Sequence, residues 1–192
     1  MIDVESYPIL WDNRESLKET SKDNSDPNDI KYMTSSETLV VNFDLVKRYY
    51  VNGLGFSEEK ITSVDAIVPL ENRILFVEFK NGKVDNRNVK DKLRDSLLVF
   101  LDIIGENIDF SRSNIDLIVV YNLEKNPLPK QDQKGQLQEA PSRVSIADYV
   151  MGKARKELIR FDLERYERLY FRNIHTYPKE RFDEYWENLR LG

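Results

Sequence analysis

Ile61-Thr62-Ser63-Val64-Asp65-Ala66-Ile67-Val68-Pro69-Leu70-Glu71-Asn72-Arg73-Ile74-Leu75-Phe76-Val77-Glu78-Phe79-Lys80 decides the fold. Both ends of the stretch are rich in β-branched and aromatic residues, and Pro69 to Asn72 has turn chemistry, so 61–80 is predicted to be a β-hairpin. A hairpin centred between Glu71 and Asn72 sets Asp65 directly opposite Glu78. Opposed residues on an antiparallel pair have Cβ atoms about 5 Å apart. Lys80, two positions beyond Glu78, projects from the same face. Two carboxylates and an ammonium therefore converge on one patch of an apolar sheet.

That patch needs a physical reason. Like charges directly opposite one another destabilise a sheet, and burial raises the cost unless a cation neutralises them or one group takes up a proton. A hard divalent cation meets the need: Mg²⁺ takes oxygen ligands, keeps several waters and is commonly held by one or two carboxylates plus phosphate oxygens. A lysine beside it can orient or deprotonate an attacking water, or stabilise charge on a phosphate. The plainer alternative is a cross-strand salt bridge, contributing about 0–1 kcal/mol if exposed. The apolar neighbours of Asp65 argue against an exposed bridge.

Outward from the hairpin, apolar residues mark both strand faces, with Val64, Ala66 and Val68 on one and Ile67, Ile74 and Phe76 on the other. Such strands are covered on both sides. Upstream, Leu39, Phe43, Val46 and Tyr50 recur at helical spacing. Thr34 with Glu37 matches a capping box, which predicts a helix from Ser35 to about Val51, closed by Gly53 and Gly55. Downstream, residues 81–85 read as a loop and Asn88 to Ile104 as a helix with the stripe Val89, Leu93, Leu97, Phe100 and Ile104, closed by Gly105. Ile115 to Leu123 reads as a buried strand. Further predictions are a loop over Asn126–Pro141, a helix from Ser145 to about Arg160, a strand over Arg168–Thr176 and an amphipathic helix over Pro178–Leu189. That last helix has Phe182, Tyr185, Trp186 and Leu189 on its apolar side and Pro178 in its first turn. Residues 1–33 read as a polar arm with one short helix near Ile9–Leu17, ahead of a single domain over 34–192 with its core at about 35–123 and an extension at 142–192. The fold class expected is α/β (α+β), a mixed central sheet flanked by helices.

Composition narrows the chemistry. The 192 residues are 40% apolar and 33% charged. The absence of cysteine excludes disulfides, thiolate metal sites and cysteine nucleophiles. With His175 as the single histidine, a bound metal is expected to be held by oxygen. No signal peptide or membrane-length apolar run is visible, so a cytoplasmic protein is expected. The net charge of −5 resides in residues 1–30, whereas 80–94 holds six bases against two acids. A basic segment beside an acidic patch suits a phosphodiester ligand, with a solvated helix face as the plainer account. Lys90 and Arg94, one turn apart, are candidate phosphate contacts together with Lys83. The C-terminal aromatics around Tyr166, Tyr170, Phe171 and Trp186 read as packing, and His175 as a structural histidine.

The order helix, strand with Asp65, strand with Glu78-Phe79-Lys80, helix, strand resembles the core of the PD-(D/E)XK nuclease superfamily. The likeness spans roughly 35–123; Val64 stands where the family often has proline. The resemblance implies a restriction-endonuclease-like core and an Mg²⁺- (or Mn²⁺-) dependent endonuclease. Asp65, Glu78 and the main-chain carbonyl of Phe79 would hold the metal, with Glu37 as the candidate for the glutamate that many members carry on the first core helix. Lys80 would position the water. Nucleic acid, DNA first, is the implied partner, in a defence, repair or toxin setting. The acidic net charge points to a homodimer or a protein partner as a source of extra affinity. The rival expectation is a catalytically inactive nuclease-like fold that binds protein or nucleic acid.

Overall fold

A computed structural model describes residues 2–57, 61–128 and 159–191. In chain order its elements are α1 (Pro8–Trp11), β1 (Arg14–Ser16), α2 (Leu17–Thr20), β2 (Lys22–Asp23), β3 (Lys31–Tyr32), β4 (Leu39–Asn42) and α3 (Phe43–Gly53). There follow β5 (Ala66–Pro69), β6 (Ile74–Lys80), α4 (Asn86–Ile104), α5 (Ile108–Asn114), β7 (Ile115–Tyr121), β8 (Asn173–Pro178) and α6 (Lys179–Leu191). Six strands form one mixed sheet in the order β1-β4-β5-β6-β7-β8, and β2 pairs with β3 separately. The fold is thus mixed α/β with a central sheet flanked by helices, as expected.

The hairpin forms in the expected register. Ala66 faces Val77 and Pro69 faces Ile74, and Leu70 N–H closes the loop on Arg73 O at 2.8 Å. The first strand is shorter than predicted, beginning at Ala66. Asp65 sits just ahead of it, its N–H donating at 3.1 Å to Val77 O, the residue already opposite Ala66, so the ladder ends in a one-residue offset and Asp65 is not paired in register with Glu78. Because the chain before Ala66 is outside the pleat, Val64 packs with Ile67 rather than with Ala66 and Val68.

Two apolar layers cover the sheet. On one face Phe43, Ile67, Phe76, Leu117 and Val119 pack against the stripe of α4; Phe76 meets Phe100 edge-on at 5.3 Å. On the other, Val77, Phe79, Ile118 and Val120 pack against Phe182 and Trp186 of α6, with Phe79 edge-on to Phe182 at 5.5 Å. Each such buried side chain is worth about 1.5–3 kcal/mol. Helix α4 matches its prediction closely. Asp85 caps its N-terminus by accepting from Arg87 and Asn88 N–H, and Gly105 closes it in the left-handed conformation at φ 70.

Three expectations are corrected. Residues 35–38 are not helical: Leu39–Asn42 is β4, and α3 begins only at Phe43, capped by Asn42 accepting from Leu45 N–H at 3.2 Å. The β-branched pair Val40-Val41 fills a slot in the sheet between β1 and β5, and that pairing outweighs the local capping pattern at Thr34. Thr34 instead donates its hydroxyl to Asp183 at 2.6 Å. Residues 1–33 are no loose arm. β1 forms the sheet edge, and Leu10, Leu17 and Met33 are buried. The strand predicted at Arg168 starts at Asn173, because Arg168 has a left-handed φ of 61 and a 3₁₀ turn occupies Glu164–Tyr166. Pro178 ends β8, an edge strand where a missing N–H is tolerated. Most of the predicted 126–141 loop and 145–160 helix lies outside the described residues. Among the described residues, no helix is long and apolar enough to cross a membrane.

Candidate functional site

Even-numbered positions of β6 face α3 and α4, which puts Glu78 and Lys80 on that side at the C-terminal end of the strand. The Glu78 side chain is 0% exposed. Asp65 beside it is 14% exposed and accepts from Phe79 N–H at 2.5 Å. Asp65, Glu78 and Lys80 are thus brought together as expected, although Asp65 reaches the site from beyond the end of the ladder rather than from a position paired with Glu78. Lys80 Nζ lies 2.8 Å from Glu78 Oε1 and donates to Asn88 Oδ1 at 3.1 Å.

A second lysine completes the cluster. Lys92 of α4 places Nζ 3.2 Å from Asp65 Oδ1, 2.8 Å from Glu78 Oε1 and 3.1 Å from Glu78 Oε2. Its position follows from a polar seam along α4. Asn88, Lys92 and Ser96 recur every four residues, each one place before a residue of the apolar stripe. Asn88 meets Lys80, Lys92 meets both carboxylates, and Ser96 Oγ accepts from Val64 N–H at 2.7 Å. Asp95 adds two bonds to Thr62, both 2.9 Å. This seam pins the segment ahead of β5 and so positions Asp65.

The electrostatics follow from burial. Asp65 is pushed up to about 7, first by burial, then by Glu78 and more weakly by Asp44, with Lys92 and the Phe79 N–H opposing. Lys92 is held well above the ordinary lysine range: burial, the largest influence, works against its charge, but Asp65 and Glu78 together overcome it. The pair is therefore a buried carboxylate couple dependent on a cation. Glu78 Oε1 is buried and stands 2.8 Å from both ammonium groups.

The other predicted residues fall elsewhere. Glu37 is not on the first core helix; it lies before β4, exposed, and pairs with Lys18 at 3.0 Å. The acid that α3 brings near the pair is Asp44, in the first turn, which accepts from the Ser63 hydroxyl. Reading the helix start at Asn42 rather than at Thr34 would have found it. Should the site hold a divalent cation, Glu37→Ala is accordingly expected to change Mn²⁺ affinity by no more than about twofold, the ordinary effect of a surface substitution. A tenfold loss in a Mn²⁺ titration would restore Glu37 to the site. The Phe79 side chain packs on the far face, leaving its main chain to the site. Lys83 is exposed on the loop after β6. Lys90 pairs with Asp162 at 3.3 Å, and Arg94 pairs with Asp91. His175 stacks on Tyr177 in the C-terminal aromatic packing.

The donor set suits a hard cation: two largely buried carboxylates converge on one point, where Lys80 and Lys92 now supply the counter-charge. Among the described residues no group of three or more His, Cys, Asp or Glu is placed to hold a metal. Further coordination would come from main-chain oxygen, water or substrate, the usual habit of Mg²⁺. No protein-family model, curated protein or solved structure matches this chain.

Proposed function

We propose that the protein is a divalent-metal-dependent nuclease of the PD-(D/E)XK type, hydrolysing phosphodiester bonds of nucleic acid. The observation that carries this reading is Glu78, a fully buried carboxylate beside Asp65, the two acids held together by two lysine ammonium groups. Asp65, Glu78 and the Phe79 carbonyl would hold Mg²⁺ or Mn²⁺. The metal would lower the pKa of a bound water and neutralise charge on the scissile phosphate. Lys80, 20% exposed and hydrogen-bonded to Asn88, would hold a water or a phosphate oxygen at the mouth of the site. Lys83 is free to meet a flanking phosphate, whereas Lys90 and Arg94 would first exchange their partners Asp162 and Asp91.

Those two ion pairs and the net charge of −5 favour a second reading, a nuclease-like fold that binds a partner without cleaving. One experiment separates the two. Plasmid, single-stranded DNA and RNA are incubated with Mg²⁺ or Mn²⁺ and wild type, Glu78→Ala or Lys80→Ala. Cleavage by wild type, reduced at least about a hundredfold in both folded variants, is the expected result. Equal cleavage by all three proteins, or none by wild type on any substrate, would sink the nuclease reading.

A further inference from the structure

Glu78 is 0% exposed and two ammonium groups stand 2.8 Å from its Oε1, so an ion can bind that oxygen only if one of them moves. The two lysines are not held alike. Lys80 keeps a second anchor in Asn88 Oδ1, on the same helix face that pins the strand. Every polar contact the structure gives Lys92 is to Asp65 or Glu78, the oxygens a metal would use. It alone touches both carboxylates, and it already occupies the counter-charge position between them. A second cation there would stand within a few ångströms of Nζ, where like charges repel by several kcal/mol at an effective dielectric near ~20.

We infer that Lys92 is a built-in counter-ion that competes with the divalent metal, holding the carboxylate pair together until the metal displaces its ammonium toward the mouth of the site. This rests on the metal-site reading above and extends it. Lys92 keeps 19% of its side chain exposed, and its long flexible stem gives the ammonium a route outward by a change of rotamer. There the displaced ammonium becomes available to a phosphate group. Metal loading and substrate attraction are then linked through one side chain, and metal affinity is kept below what the carboxylates alone would give.

The test is Mn²⁺ binding, followed by calorimetry and by electron paramagnetic resonance of free Mn²⁺, in alkaline buffer where protons compete less for the carboxylates. Lys92→Met keeps the stem and removes the charge; it is expected to bind Mn²⁺ about ten- to a hundredfold more tightly than wild type. Lys92→Arg keeps the charge and is expected to show no such gain. In wild type, the side-chain ε signal of Lys92, assigned by its loss in Lys92→Arg, should shift on titration with diamagnetic Mg²⁺. That readout serves even if Lys92→Met fails to fold. Wild-type binding with an unmoved Lys92 signal, or with a Lys92→Met affinity no tighter than wild type, would overturn the counter-ion role and leave the metal site standing. No binding by wild type would instead remove the metal site itself, and this inference with it.

Discussion

Without a divalent ion, the protein is expected to lose stability as pH rises from about 4 to about 7. The group responsible is Asp65, pushed up to about 7 in the folded state from an ordinary value of 3.8 by burial and by Glu78. Between those two values the folded chain holds a proton that the unfolded chain has released. Stability falls with pH wherever the unfolded state binds fewer protons, so the Asp65 contribution is fully present below the lower value and lost by the upper one. A displacement of about three units corresponds to about 4 kcal/mol. Lys92 does not offset this, because it stays an ammonium throughout the window. Exposed acids with ordinary behaviour add their own slopes, so the measurement is a difference: urea unfolding of wild type and Asp65→Asn across about pH 4 to 8 in a chelator. Wild type should lose about 4 kcal/mol relative to the variant over that range. Saturating Mg²⁺ should abolish the loss, since a bound cation keeps the carboxylate ionised at no cost to the fold. A parallel pH dependence in the two proteins would show that Asp65 is not the group under strain.

This dependence originates in a juxtaposition that the sequence discloses in part. The hairpin register follows from β-branched runs on either side of a turn and brings Asp65 near Glu78, but the ladder ends at Ala66, and the bonds to Val77 O and Phe79 N–H that place Asp65 are not legible in the pattern. Helix α4 and strand β7 are legible for the same reason: long apolar patterns with a clear cap or boundary. Lys92 is hidden because periodicity identifies the buried stripe of α4 but not which polar flank turns toward the sheet. Asn88, Lys92 and Ser96 take that role only once Lys80, Asp65 and Val64 stand opposite them. Asp44 and Glu37 changed places because Thr34 and Glu37 form a plausible local cap, whereas the chain is committed to the sheet until Asn42. In the N-terminal segment composition misleads: eight acids in its first thirty residues obscure Leu10 and Leu17, which are fully buried. Local signals describe elements well; which side chain meets which across elements is a tertiary fact.

Asp116→Ala is expected to destabilise the fold by about 3 kcal/mol while leaving metal binding and cleavage within about twofold of wild type. Asp116 is buried on the opposite sheet face from Glu78, at the N-terminal end of β7, where it is paired in register with Leu75. It accepts two hydrogen bonds from Arg172, at 2.8 and 2.7 Å, and one from Asn173 at 2.9 Å, and Arg73 Nε stands 3.7 Å away. Arg172 is held further above its ordinary value mainly by its hydrogen bond to this carboxylate. Removing one partner of a buried ion pair typically costs about 3–5 kcal/mol, because the other charge is left without compensation. The lower end applies here, since Arg172 and Arg73 keep 30% and 24% of their side chains exposed and can recover some water. Arg73 Nε, buried and without a hydrogen bond even in the intact protein, will not. Urea denaturation gives the stability loss, and Mn²⁺ titration of the folded variant gives the second half of the prediction. The two buried acid clusters of this sheet then separate by kind. Asp116 is fully neutralised by guanidinium groups in place and serves the fold. Asp65 and Glu78 share two ammonium groups, which still leave one carboxyl pushed up to about 7. An Asp116→Ala protein that keeps its stability but loses metal binding would reverse that division and move the functional site to the other face of the sheet.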